Sequence, residues 1–161
     1  MLCYIYEEPD MSNEQLIPCM EQKVILLTKI LDLTKQIEVR CKQNEILIDE
    51  LLQMRKGYLS RVEKCNFLID KILAEAQSDE TDRLSELLAA KVGEHGCSDD
   101  ELTLLRCAKR SKELSHAIIR INKNAQNRLN AGYETLKSYI IDETSKKRTA
   151  VSAGKRDIIR F

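Results

Sequence analysis

The 161-residue chain carries 26 basic and 26 acidic side chains, so no net charge draws it to nucleic acid or to a membrane surface. Charged residues make up 32% and aromatics 4%, with two prolines and five glycines. That composition argues against a compact sheet protein and favours long helices in one domain, while a hydrophobic content of 43% is too high for a simply disordered chain.

The opening MLCYIY is apolar but short, lacks a positive flank and runs into Glu7, Glu8 and Asp10. It does not read as a signal peptide. Residues 1–11 are expected to be a disordered extension, with Met11 as an alternative start. Ser12 and Gln15 form a capping-box pattern for the first helix, although Pro18 should kink that helix or mark its true start. From Met20 the residues Val24, Leu27, Leu31, Thr34, Glu38 and Cys41 recur at three- and four-residue steps. Sustained heptads of this kind predict a helix packed along its length. A second edge, Leu26, Ile30, Leu33 and Ile37, widens the face and predicts two neighbours at once.

Residues 38–45 contain neither Gly nor Pro. A tight reversal near Lys42–Asn44, with Asn44 as N-cap, would give an antiparallel hairpin; the rival is one unbroken helix. The second stripe reads Ile48, Leu51, Arg55, Tyr58, Val62, Cys65, Ile69, Ile72 and Ala76. Arg55 is expected to lay its stem along the face and send its guanidinium to water. Gly57 reads as a site of close crossing or mild bending. A short helix carrying Leu84, Leu87, Leu88 and Val92 should stop at Gly93.

Ser98 with Glu101 is a second capping box and opens the last helix, expected to run to about Ser145. Its stripe passes through Cys107, Ser111, Leu114, Ile118, Ile121, Ala125, Leu129, Gly132, Leu136 and Ile140. Small and polar members in the first half predict looser docking there. Tyr133, Leu136, Tyr139 and Ile140 either pack on the N-terminal hairpin or offer a face to an amphipathic partner helix. With Ile118, Ile121 and Leu129 they form the candidate partner-binding set. Residues 146–161 turn basic and read as a mobile tail ending in an apolar plug of Ile158, Ile159 and Phe161. The fold class is therefore all-α: an elongated antiparallel helical hairpin or bundle with coiled-coil packing over residues 12–145, followed by a flexible basic C-terminal tail.

Chemistry-bearing motifs are sparse. Phosphate-binding glycine loops, a serine elbow and HExxH are absent from the sequence. His95 and Cys97 lack further ligands at metal-binding spacing, and His116 reads as a plain helical residue. The six cysteines include no CxxC pair and read as reduced thiols of a cytoplasmic protein. No run reaches the roughly 20 apolar residues that span a bilayer. The expectation is a protein without catalytic residues, metal or cofactor, acting on a protein partner and not on nucleic acid or by stable membrane insertion.

The stretch EQKVILLTKILDLTKQIE, then IDELLQMRKGYLSRVEKCNFLIDKI, resembles the bacterial flagellar export chaperones of the FlgN/FliT type. The likeness is strongest at Glu50–Arg55 and at Ile69–Asp70, covers residues 19–76, and extends more loosely over residues 99–155. It implies a small cytoplasmic all-α protein without catalytic activity; whether the chain is a monomer or a homodimer is left open by the sequence. Such a protein holds the helical terminus of a late flagellar substrate, of the hook-associated or filament-cap type, prevents its premature assembly and delivers it to the export apparatus. The long acidic linker and short helix at 78–93 depart from that pattern.

Overall fold

The computed structural model describes residues 11–43 and 47–158, with side chains described for residues 12–43 and 47–149. Four helices follow in chain order: α1 (Met11–Lys42), α2 (Asp49–Glu75), α3 (Ser78–Leu88) and α4 (Asp99–Ile158). There is no strand among the described residues. The fold is an all-α bundle in which α1 is the central rod, packed on one side by α2 and on the other by α4.

Three apolar clusters stack along α1 and fix the directions of its neighbours. Near its start, Leu16 and Met20 meet Ile69 of α2, Leu84 and Leu87 of α3, and Leu104, Leu105 and Ala108 of α4. Midway, Leu26, Leu27 and Ile30 meet Val62, Cys65 and Leu114. At its end, Leu33, Ile37 and Cys41 meet Ile48, Leu51 and Ala125. Numbers fall along α2 and rise along α4 as α1 ascends, so α2 runs antiparallel to α1 and α4 runs parallel to it.

The second apolar edge of α1 accounts for this arrangement. Leu26 and Ile30 are 1% and 0% exposed, while Val24 and Leu31 of the first stripe are half-buried. One stripe alone satisfies one partner; the wider face lets a single helix bury side chains against two.

α1 and α2 are separate helices, which excludes the unbroken alternative. Asn44 lies outside the described residues, and the residue preceding α2 is Ile48, which makes no side-chain capping bond. Asp49 and Glu50 in the first turn favour the helix start instead. Pro18 sits inside α1, which begins ahead of it, so the helix forgoes one backbone hydrogen bond there.

α3 stops at Leu88, before the Gly93 expected to end it. The reversal is made by Ala90, whose φ of 54° is left-handed, with Lys91 N–H bonded to the Glu86 carbonyl at 3.0 Å. That early turn releases Val92 from the helix while leaving it packed at the edge of the first cluster.

The start of α4 is doubly tied. Glu101 N–H donates to Ser98 Oγ at 3.2 Å, and Ser98 N–H donates to Glu101 Oε2 at 3.1 Å, as the capping box predicts. Arg83 of α3 then clamps the same carboxylate, Nε to Oε1 at 3.0 Å and Nη2 to Oε2 at 3.3 Å. The clamp ties the short helix to the cap of the long one.

α4 runs on to Ile158 and so passes the expected limit near Ser145. From Thr144 to Ala153 the sequence has no Gly or Pro, and cations near a helix C-terminus complement its dipole. Ile159 and Phe161 of the expected plug, and the side chain of Ile158, lie outside the described part, as do residues 1–10. No helix among the described residues is long and apolar enough to cross a membrane.

Candidate partner-binding face on the overhanging half of helix α4

α4 is a 60-residue helix, roughly 90 Å long at about 1.5 Å per residue. Its first half belongs to the bundle. Leu104 and Leu105 are 0% exposed and Leu114 is 1% exposed, so this half docks tightly, contrary to the looseness its small residues imply. The expected stripe begins at Cys107 and misses Leu104, Leu105 and Ala108, which carry the docking to α1 and α3.

Among the described side chains the last buried residue of α4 is Ala125, set against the end of α1. Beyond it the helix continues, and among the described residues no buried side chain follows on its apolar side. Leu129, Tyr133, Leu136, Tyr139 and Ile140 are between 45% and 64% exposed. The steps from Ser111 through Leu114, Ile118, Asn122, Ala125, Leu129, Tyr133, Leu136 to Ile140 are threes and fours throughout. The overhanging face is thus the same stripe that seals the bundle, extended past the end of α1.

The candidate residues separate accordingly. Ile118 packs at the edge of the middle cluster and Ile121 is half-buried, so both belong to the bundle. Leu129, Tyr133, Leu136, Tyr139 and Ile140 lie on the overhang, past the level of the end of α1 and the start of α2, and among the described residues none of them joins an apolar cluster of the bundle. Tyr133 and Tyr139 are 64% and 63% exposed, so neither is buried against the hairpin.

Where the bundle gives way to the overhang, three helices are joined by a polar layer. Arg55 Nη1 of α2 donates to Asn122 Oδ1 of α4 at 2.8 Å and lies 3.5 Å from Thr34 Oγ1 of α1. Thr34 itself is 0% exposed and donates to the Ile30 carbonyl at 2.7 Å. The guanidinium therefore turns inward and not out to water as the sequence suggests, because Asn122 supplies an acceptor at its level. Burial lowers the pKa of Arg55 from its ordinary value. The sequence alone sets Asn122 beside the stripe without a partner; its four-residue step from Ile118 is the signal that it faces inward.

Elsewhere the site chemistry is plain. Gly57 has nothing within 4 Å of the position a Cβ would take, so it mediates no close crossing. Cys19, Cys41, Cys65, Cys97 and Cys107 are free thiols, and burial pushes the pKa of Cys19, Cys41 and Cys107 up. His116 lines a cleft with Ser111, Ser115 and Lys112, but no hydrogen bond joins it to either serine among the described residues. Among those residues no group of three or more His, Cys, Asp or Glu side chains gathers to hold a metal ion.

The class of protein this geometry defines is a small helical bundle with one helix projecting as an amphipathic arm. No family model matches the chain, and no curated protein or solved structure matches it.

Proposed function

We propose that this chain is a non-catalytic helix-capture chaperone, and that the overhang of α4 receives the amphipathic helical terminus of a client protein. The observation that carries the reading is the continuous stripe: the surface that buries α1 along the bundle is left uncovered from Leu129 to Ile140. A client helix lying there occupies the place that α1 would fill if it were longer. Tyr133 and Tyr139 suit an exchangeable face, since each offers a broad apolar ring and a hydroxyl that is satisfied by water when the client leaves. The resemblance to flagellar export chaperones gives the client its class, a hook-associated or filament-cap protein, bound in the cytoplasm and passed to the export apparatus.

Co-expression of the full chain with such proteins, each with and without its terminal helix, tests this. Stable recovery that disappears with the terminal helix is the expected result. Tyr133→Ala should weaken the complex about tenfold or more in a titration, the effect of losing an anchor of at least about 1.4 kcal/mol. Recovery that is indifferent both to the client's helix and to Tyr133 would reject the reading.

A further inference from the structure

A second site lies beside the first apolar cluster, where α1, α3 and α4 meet, and it rests neither on the overhang nor on any client. A cleft of about 330 Å³ opens there. Its polar lining is Lys23 of α1 with Ser111, Lys112, Ser115 and His116 of α4. Met20, Leu88 and Ala108 form its apolar wall, and no carboxylate is among the described residues that line it. Spacing explains the gathering on α4. Ser111 with Ser115 and Lys112 with His116 are two pairs four residues apart, so they stack as neighbouring columns along the helix.

Two of these side chains are left unsatisfied by the protein. Ser111 is 6% exposed, and its hydroxyl has no hydrogen-bond partner among the described residues. Buried polar atoms are nearly always paired, so such a hydroxyl calls for a partner from outside the chain. Lys23 is half-buried and makes no ion pair or hydrogen bond among the described residues. Burial lowers its pKa from the ordinary value, against an opposing pull from Cys65 and Asp70. The nearby carboxylates are engaged elsewhere. Asp70 lines a second cleft that shares the wall of Met20, Lys23 and Leu88, and Glu113 pairs with Arg110 at 3.3 Å. The negative end of α3 is blunted, because the carbonyls of Ser85, Glu86 and Leu87 accept from the N–H groups of Ala89, Lys91 and Ala90.

Two ammonium groups, two hydroxyls and an imidazole N–H form a set of donors without an acidic member. A phosphoryl group presents more oxygens to such a set than a carboxylate does, and lysine binds phosphate as a point charge. The apolar wall lowers the local dielectric and strengthens that attraction. We propose that this cleft binds a phosphoryl group, as free phosphate or as a phosphate monoester, between Lys23 and Lys112, with Ser111 turning its hydroxyl about the Cα–Cβ bond to meet it.

Calorimetric titration of the full chain with inorganic phosphate and with phenyl phosphate, at fixed ionic strength, tests this. Saturable binding is expected. Tighter binding of inorganic phosphate identifies the free anion as the ligand; tighter binding of phenyl phosphate identifies a monoester whose organic part rests on Met20 and Leu88. Lys112→Met, at an exposed position that leaves the fold intact, and Lys23→Met should each weaken binding about fivefold or more. Ser111→Ala should also weaken it, while thermal stability without phosphate stays the same or rises, since the hydroxyl has no partner to lose. A serine with a merely structural role would lose stability and leave binding alone. Lys109→Met removes a lysine of the same helix that pairs with Glu94 outside the cleft, and should leave binding unchanged. Absence of saturable binding, binding unmoved by both Lys23→Met and Ser111→Ala, or equal weakening by Lys109→Met would each overturn the proposal.

Discussion

A guanidinium turned inward onto neutral partners behaves differently from a surface ion pair. Arg55 keeps its charge, so removing Asn122 strands a desolvated donor. Asn122→Ala should cost about 1–2 kcal/mol, read as a lower urea midpoint at constant slope. The double variant Arg55→Met with Asn122→Leu should recover most of that loss, because both polar partners are then replaced together. Glu101 makes a pH-dependent prediction. Its hydrogen bond from Arg83, and secondarily that from the Ser98 backbone, hold its carboxyl below the usual carboxylate range. A depressed folded-state pKa stabilises the fold above the unfolded value, and the effect is lost as pH falls through the folded value. Acid should therefore loosen the α3–α4 junction below about pH 4.5, and Glu101→Gln should flatten that part of the stability profile. These single-residue features were half legible. The capping box is local and was visible in the letters Ser98 and Glu101, whereas Arg83 reaches Glu101 and Arg55 reaches Asn122 only after the chain has folded.

Helix α3 is short, yet both of its buried leucines sit in the first cluster with Leu16 and Leu104. It is the plug at the closed end of the bundle, and the link that lets α4 run parallel to α1. Leu87→Ala should cost about 2–5 kcal/mol, as buried leucine truncations do, measured by denaturant unfolding. Gly57→Ala, at an exposed interior position of α2 with open space for a methyl group, should stabilise by about 1 kcal/mol in the same assay. The helices were legible where periodicity is strong. The double edge of α1 announced two neighbours because a 0%-exposed Ile30 and a 6%-exposed Leu33 leave a long trace in spacing. Boundaries were less so. Ala90 adopts a left-handed turn where Gly93 was the better-suited residue, since packing of Leu84 and Leu87 decides where the helix must end. The looseness assigned to the first half of α4 failed for a related reason: Leu104, Leu105 and Leu114 carry the packing beside the small residues Ala108 and Ser111, which are themselves 4% and 6% exposed.

At the scale of the molecule, one helix lives in two environments. Amides of residues 104–125 lie within the bundle, and those of residues 131–142 lie on an arm whose side chains are exposed on every face. Hydrogen exchange should show protection falling steeply across that boundary within a single unbroken helix, and a client bound as proposed should raise it on the far side. A chain ending at Asn127 should keep the cooperative unfolding transition of the bundle and, under the proposed function, lose recovery of a client. The apolar run from Leu129 to Ile140 was visible in the sequence, but its exposure was not. That depends on α1 stopping at Lys42, level with Ala125, and the relative lengths of two distant helices leave no local signature.

An isolated helix in water must first form a turn at a cost that makes short segments marginal. The arm is spared that step. Its helical start lies in the bundle, already held by Leu104, Leu105 and Leu114, so each residue beyond Ala125 only propagates a turn that exists. The bundle is in this sense a template that keeps roughly 50 Å of helix ready at about 1.5 Å per residue. Under the proposed function, an unstructured client segment would meet a surface that is already ordered, so only one strand of the complex would have to order on encounter.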